Sequence, residues 1–325
     1  MNGLTKSKEG KVDFVAIGTL AVDYFALVPI IPGEEQKIMA TGYEVHPGGV
    51  AGNVLTQVAR LGVRSGWIGK IGADESGKIL LNEFSREGID SSHTEVVKDR
   101  YSMFTWIQVD NRGNRAITMF PNVIVELTEE DIEKKHRGYI ENSRILQTEI
   151  CVMPLKPLIK AMEIAKSSGI KTVLDLDVPV SYFVDEAGLG TKDEVFKMIS
   201  LADILIPCKA GAEELIGSKN YEKDIVKILE MGPEIAAVTV GEEGCIIASK
   251  NKVVKIPTYK VEVVDTTGAG DAFHGGFIYG LLNGYDLEDI GKIANACGAF
   301  CCTRVGARSS GKIDDIKRIM DSQTI

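Results

Sequence analysis

The residues best suited to chemistry lie in VVDTTGAGDAFHGGFIYGLLNG, residues 263–284. A β-rich segment ends at Val264, and TTGAGD then leads into a helical pattern. Phe273, Phe277 and Leu281 recur four apart and make one bulky face. Ala272, Gly276 and Gly280 make a small face that lets the helix lie close to a neighbour. Gly268, Ala269 and Gly270 therefore form the turn into a helix N-terminus. Their small side chains leave backbone N–H groups exposed, and the helix dipole adds positive potential, so the turn suits an anion. Asp271 falls in the first turn, beside that anion. A carboxylate there is electrostatically awkward unless it acts as a base. It would take a proton from an attacking hydroxyl while the amides stabilise charge developing on a phosphoryl group. The plainer alternative is a tight glycine turn whose Asp271 complements the dipole. Two Thr before the GAGD and two Gly soon after it favour the functional reading.

Other phosphate motifs are missing. The pairs Gly69-Lys70, Gly77-Lys78, Gly291-Lys292 and Gly311-Lys312 are each followed by Ile, so no GxxxxGK[ST] loop exists. The first strand candidate runs into GTLAVD (18–23), which is not GxGxxG, so a dinucleotide enzyme is a distant reading. His46, His93 and His136 show no metal spacing, and His274 reads as a packed helix residue. Asp175 and Asp177 end the strand-like run TVLDLD, where they could touch substrate or cap the next segment.

These residues need a scaffold. Strand-like runs at 13–17, 65–72, 144–149, 172–177, 203–207 and 235–240 alternate with helical patterns at 50–62, 77–88, 157–169 and 223–232. Such alternation predicts a doubly wound, mostly parallel sheet flanked by helices. Two stretches break it: residues 26–49, and FTWIQVD-NRGN-RAITMF (104–120), a hairpin pattern. They predict a small separate sheet covering a site at the carboxyl edge of the main one.

Bulk properties agree with an enzyme of this class. The chain has 325 residues, 44% hydrophobic and 26% charged. Lys and Arg number 37 against 46 Asp and Glu, a net charge of −9, which argues against a nucleic-acid partner. The first eleven residues hold no apolar run and no 18-residue apolar stretch occurs, so neither a secretion signal nor a membrane span is expected. Six cysteines without a CxxC pair read as small core residues, and a cytoplasmic location is expected.

The segment DTTGAGDAFHGGF resembles the C-terminal signature of the ribokinase (PfkB-type) carbohydrate kinase family, and HPGGVAGNVLTQVARLG (46–62) resembles its N-terminal one. IGTLAVDYF (17–25), TVGEEGC (239–245) and NACGAFCCTRVGA (295–307) extend the likeness from about residue 12 to about 310. The resemblance implies one ribokinase-like α/β domain over 1–325, with a β lid from about 26–46 and 100–120. It implies ATP-dependent transfer to a sugar hydroxymethyl, with Mg²⁺, and K⁺ as a further candidate ion. Asp271 would be the base and Gly268, Ala269 and Gly270 the anion hole. Asp23, Gly48, Gly49 and Asn53 would bind the sugar. Thr239, Gly241, Gly244 and Asn295 would line the nucleotide. Asp265 and Thr267 would hold a monovalent cation. The lid is also a surface through which a homodimer could form.

One departure stands out. The family often carries an Asn-x-x-Glu motif that organises Mg²⁺, and Cys208 and Gly211 occupy those positions here. This leaves room for a non-catalytic sugar-binding regulator. A nucleoside kinase of the same fold is a further alternative, with Phe25, Tyr43, Phe104 and Trp106 as candidates to line a base slot.

Overall fold

The computed structural model describes residues 12–323, so the reading of residues 1–11 lies outside the described residues. The first half runs β1 (Phe14–Ile17), β2 (Ala21–Leu27), β3 (Gly42–Gly48), α1 (Val50–Arg60), β4 (Ser65–Trp67), β5 (Gly69–Gly72), α2 (Glu75–Glu87), β6 (Thr94–Val97), β7 (Phe104–Val109) and β8 (Arg115–Phe120). The second half adds β9 (Ile145–Ile150), α3 (Leu155–Ser167), β10 (Lys171–Leu176), α4 (Lys192–Leu201), β11 (Ile204–Pro207) and α5 (Lys209–Ile216). It ends with β12 (Ile235–Thr239), β13 (Cys245–Ser249), β14 (Lys252–Ile256), α6 (Ala269–Asn283), α7 (Leu287–Cys301) and α8 (Ile313–Ser322).

Eight strands form the main sheet in the order β14-β13-β12-β11-β10-β9-β1-β4. The six from β12 to β4 are parallel, and β13 and β14 add an antiparallel edge. The apolar runs FVAI and ILQTEI are buried along their whole length, as expected of central parallel strands covered on both sides. The doubly wound expectation therefore holds. The two β-rich stretches join in a four-stranded sheet, β3-β2-β7-β8, whose strand β2 starts at Ala21, ahead of the expected residue 26; β2 and β7 are parallel and the outer pairs antiparallel.

The small face of α6 does what its spacing predicts. A Cβ on Gly276 would stand 2.8 Å from Ala294 Cα, and one on Gly280 would stand 2.8 Å from Ile290 Cγ1, so α6 and α7 pack backbone to backbone. The bulky face, Phe273, Phe277 and Leu281, is buried in the core.

Three local expectations are corrected. Residues 65–72 are two strands, because the chain turns over Trp67: a Cβ on Gly69 would lie 2.3 Å from that ring, and β5 leaves to pair with β6. The helix expected over 223–232 is two short pieces, Tyr221–Asp224 and Val226–Leu229, since Ile228 N closes onto Ile225 O in a tighter turn. The segment before the glycine turn is not a strand. Val264 N and Asp265 N donate to Cys302 O, which pins it to the end of α7 instead.

Candidate active site

Strand β1 has β4 on one side and β9 on the other, so the winding direction reverses between β1 and β9. A crevice outside the carboxyl ends of the strands follows from that reversal, and ligands of open α/β sheets sit there. Glu149, in β9, is 1% exposed and accepts a hydrogen bond from Thr19 N at 2.8 Å. Thr19 Oγ1 in turn accepts from Val50 N at 2.9 Å. The exits of β1 and β9 and the start of α1 are thereby tied together.

Asp23 leaves this crevice on β2 and accepts a hydrogen bond from the Thr105 hydroxyl of β7. Burial pushes its carboxyl above the usual range, against the Thr105 bond and the charge of Arg308. Gly48 must lack a side chain here, because a Cβ would meet Asp23 Oδ2 at 2.0 Å. Gly49 caps α1 at φ 88, a backbone conformation few other residues adopt, and a Cβ there would lie 2.6 Å from Thr19 O. One turn on, Asn53 Nδ2 donates to Asp271 Oδ2 at 2.7 Å. Asn53 Oδ1 accepts from Arg308 Nε at 3.1 Å, and Arg308 Nη2 donates to Gly48 O at 2.7 Å. Of the four residues expected around the sugar, Asn53 thus touches Asp271, and Arg308 ties Gly48 to Asn53.

The glycine turn is built as expected. Gly268 is the N-cap of α6 at φ 78, and a Cβ there would lie 2.2 Å from Ala307 O. Gly270 has nothing within 4 Å of a Cβ, so the inside of the turn is open. Asp265 Oδ1 accepts from Thr267 N at 3.0 Å and Thr267 Oγ1 at 2.7 Å, and Oδ2 accepts from Gly306 N at 3.0 Å. Burial raises the Asp265 carboxyl, but those bonds and the Arg115 charge outweigh it and hold it below the usual range. Arg115, at the start of β8, reaches across to donate to Thr267 Oγ1 at 2.9 Å. The loop after α7 therefore serves the whole region: Gly306 binds Asp265, Ala307 backs Gly268 and Arg308 reaches Asn53.

Thr239, Gly241, Gly244 and Asn295 line one cavity of about 990 Å³, together with Ala269 and Gly270 at the glycine turn. Asn295 does not offer its amide nitrogen to a ligand. Its Nδ2 donates to Ile256 O at 3.0 Å and to Pro257 O at 3.1 Å, so it holds the cavity wall in place.

Four carboxyl groups crowd the crevice floor. Burial pushes Asp271 up to about 7, with Asp177 and Asp23 adding to it and the Asn53 bond and Arg308 opposing it. Burial also pushes Glu149 up to about 8, against its bonds from Thr19 and helped by Asp177 and Asp271. Asp175 and Asp177 are raised by burial as well. His274 Nδ1 lies 3.5 Å from Asp175 Oδ2, and burial pulls its imidazole down to about 3, so it is neutral. This is the packed histidine its position predicts.

Cys208 caps α5, its sulfur accepting from Gly211 N at 3.3 Å. The nearby carboxylates are occupied elsewhere: Glu213 accepts from the Tyr221 hydroxyl and Glu214 from Ser181. All six cysteines are free, and Cys245, Cys297 and Cys301 are buried as core residues.

The nucleoside slot proposed on sequence is not assembled. Strand alternation puts Tyr43, Phe104 and Trp106 on the face opposite Asp23, where Tyr24 stacks with Tyr43 and meets Phe104 edge-on. Only Phe25 shares the Asp23 face, in a row with Ile107 and Ile117.

Sequence reasoning missed four residues of this region: Glu149, Thr105, Arg115 and Arg308. A lone Glu inside the apolar run ILQTEI was a readable signal, since a buried charge at a strand exit needs a reason. Arg115 and Arg308 gave no periodic signal, because both act across the chain.

Comparison with known proteins extends this geometry. The model of the pfkB family carbohydrate kinases matches residues 12–314. An uncharacterized sugar kinase of Archaeoglobus fulgidus is 35% identical over 253 residues, 77% of this chain and 96% of its own length. The ribokinase of Haemophilus influenzae is 29% identical over 303 residues, 90% of this chain and 93% of its own. Among solved structures, Arabidopsis thaliana ribokinase complexed with ribose and ATP superposes with a TM-score of 0.84 at 20% identity, covering 95% of this chain and 98% of that one. With its ribokinase-like sheet and its two signature segments meeting at one crevice, this chain belongs to the pfkB family of carbohydrate kinases, which are phosphotransferases.

Proposed function

We propose that this chain transfers the γ-phosphoryl group of MgATP to a hydroxymethyl group of a sugar or sugar derivative. The observation that carries the reading is the 2.7 Å bond between Asn53 and Asp271, which brings the sugar-side helix against the first turn of α6. Asp23 and Asn53 hold the acceptor, and Asp271 takes the proton of the attacking hydroxyl. The amides of Gly268, Ala269 and Gly270 face the transferring phosphoryl group and stabilise its developing charge. The nucleotide lies in the cavity lined by Thr239, Gly241 and Gly244, whose inner end is the glycine turn.

Among the described residues, no group of three or more His, Cys, Asp or Glu side chains is arranged to hold a metal ion. In this reading Mg²⁺ enters as part of the MgATP substrate, its shell completed by phosphate oxygens and water. A monovalent cation, K⁺ first, belongs at the Asp265–Thr267 corner in this reading. The four-stranded sheet acts as a lid, and its exposed Tyr43, Trp106 and Phe120 supply an apolar face through which two copies could pair.

The test is ADP release by the purified protein with MgATP, with and without K⁺, against a panel of free sugars and nucleosides. Sugar-dependent ADP release supports the reading, and its absence across the panel overturns it. A nucleoside substrate is the second reading, favoured by the apolar row Phe25, Ile107 and Ile117 beside Asp23, with Ile117 58% exposed.

A further inference from the structure

Arg308 lies in none of the segments that carry the kinase reading, yet it touches two of the residues that do. Arg60 Nη1 donates to Arg308 O at 2.8 Å and to Ser310 O at 2.7 Å, which fixes the loop backbone beside the end of α1. The side chain then runs back to the start of α1, where Gly52 makes room: a Cβ there would lie 2.3 Å from Arg308 Nη2. At that end Nε binds Asn53 Oδ1 and Nη2 binds Gly48 O.

We infer that Arg308 is a positioning residue for the phosphoryl-transfer site: it fixes which way the Asn53 amide faces, and it brings a permanent positive charge to bear on Asp271. The inference rests on the reading of Asp271 as the base. With Arg308 Nε donating to Oδ1, the amide of Asn53 has only its Nδ2 to offer, and Nδ2 meets Asp271 Oδ2. A neutral side chain could bridge Gly48 and Asn53 equally well. Burying a guanidinium there is costly, and Arg308 Nη1 is buried without a hydrogen-bond partner. Burial draws the guanidinium down only to about 10, so it stays charged at neutral pH.

The charged and titratable groups that bear on Asp271 come from every side: Asp23 from β2, Glu149 from β9, Asp175 and Asp177 from the end of β10, and Cys301 from α7. Every one of these is acidic when it ionises. Arg308 is the cation that opposes them at Asp271. Without it, the base would sit among carboxylates with the Asn53 bond and the N-terminus of α6 left to favour its ionised form.

The experiment is a carbon-13 NMR titration of the full chain labelled at the aspartate carboxyl carbons, with Asp271→Asn assigning the Asp271 resonance. Arg308→Met is expected to move the Asp271 midpoint up by about one pH unit, the scale set by loss of a nearby opposite charge. Arg308→Lys is expected to keep it near the wild-type value. Gly52→Ala leaves every charge in the protein but crowds Nη2, and is expected to move the midpoint part of the way. An unmoved midpoint in Arg308→Met overturns the inference. If that variant does not fold, an unmoved midpoint in Gly52→Ala does the same. The titration reads the coupling directly, whereas turnover by Asp271→Asn bears on the base assignment alone, so the two failures are distinguishable.

Discussion

Asn53 and Asp271 are 218 positions apart in sequence and 2.7 Å apart in space, each in the first turn of its own helix. The contact orients the carboxylate and favours its ionised form, while burial works the other way. The balance leaves Asp271 near 7, where a base can take a proton and later return it.

Asp271→Asn is therefore expected to lower turnover by about 10²- to 10⁴-fold, the usual worth of a general base. Nucleotide binding, read by calorimetry, should survive. In the wild type, activity should fall as pH drops through about 7, because protonated Asp271 cannot accept the hydroxyl proton. Near-normal turnover in the variant would sink the assignment.

The glycines of the turn should behave differently from one another. Gly268→Ala puts a side chain at φ 78 and against Ala307 O, so it should cost about 1–2 kcal/mol for the backbone alone. Gly270→Ala meets nothing within 4 Å and lies inside a helix, so it should hold or raise stability by roughly 0.5–1 kcal/mol. Activity should fall in both. An active Gly270→Ala enzyme would mean that no ligand approaches the turn closely.

Arg115→Ala removes the bond from the four-stranded sheet to Thr267. The side chain is exposed, so thermal unfolding should be unchanged. kcat/KM should fall about tenfold, the worth of one charge-assisted hydrogen bond. Wild-type kcat/KM in the variant would show that the link does not matter to the reaction.

Glu149→Gln tests the buried acid through stability. Glu149 ionises near 8 in the folded protein and near 4.3 when unfolded. Ionisation is thus resisted by the fold, and stability falls as pH rises from the unfolded value towards 8. Gln keeps an acceptor for Thr19 N and has no charge to suppress. The gap in melting temperature, variant minus wild type, should grow from pH 5 to pH 8. A gap that does not change with pH would refute the raised ionisation.

Much of this was legible in the sequence because it was local. The alternation of apolar runs and helical periods gave the main sheet, and the four-residue spacing of Phe273, Phe277 and Leu281 located α6 with its buried face. The glycine turn showed itself through small residues at a helix start. The rest depended on pairing between distant segments. Alternation within β2 puts Phe25 on the Asp23 face, but the register of β2 against β7 decides that Trp106 is not there, and no single strand reveals its register. The resemblance puts Asn295 beside the nucleotide, and it does line that cavity, but that the carbonyls of Ile256 and Pro257 hold its amide nitrogen shows only in the fold. Arg308 became visible only once the loop after α7 was folded back along α1.

That loop carries a burden out of proportion to its length. Three neighbours in the chain, Gly306, Ala307 and Arg308, serve the Asp265 corner, the glycine turn and the start of α1 in succession. Inserting or deleting one residue there would put all three out of step together, so the loop has little freedom to drift.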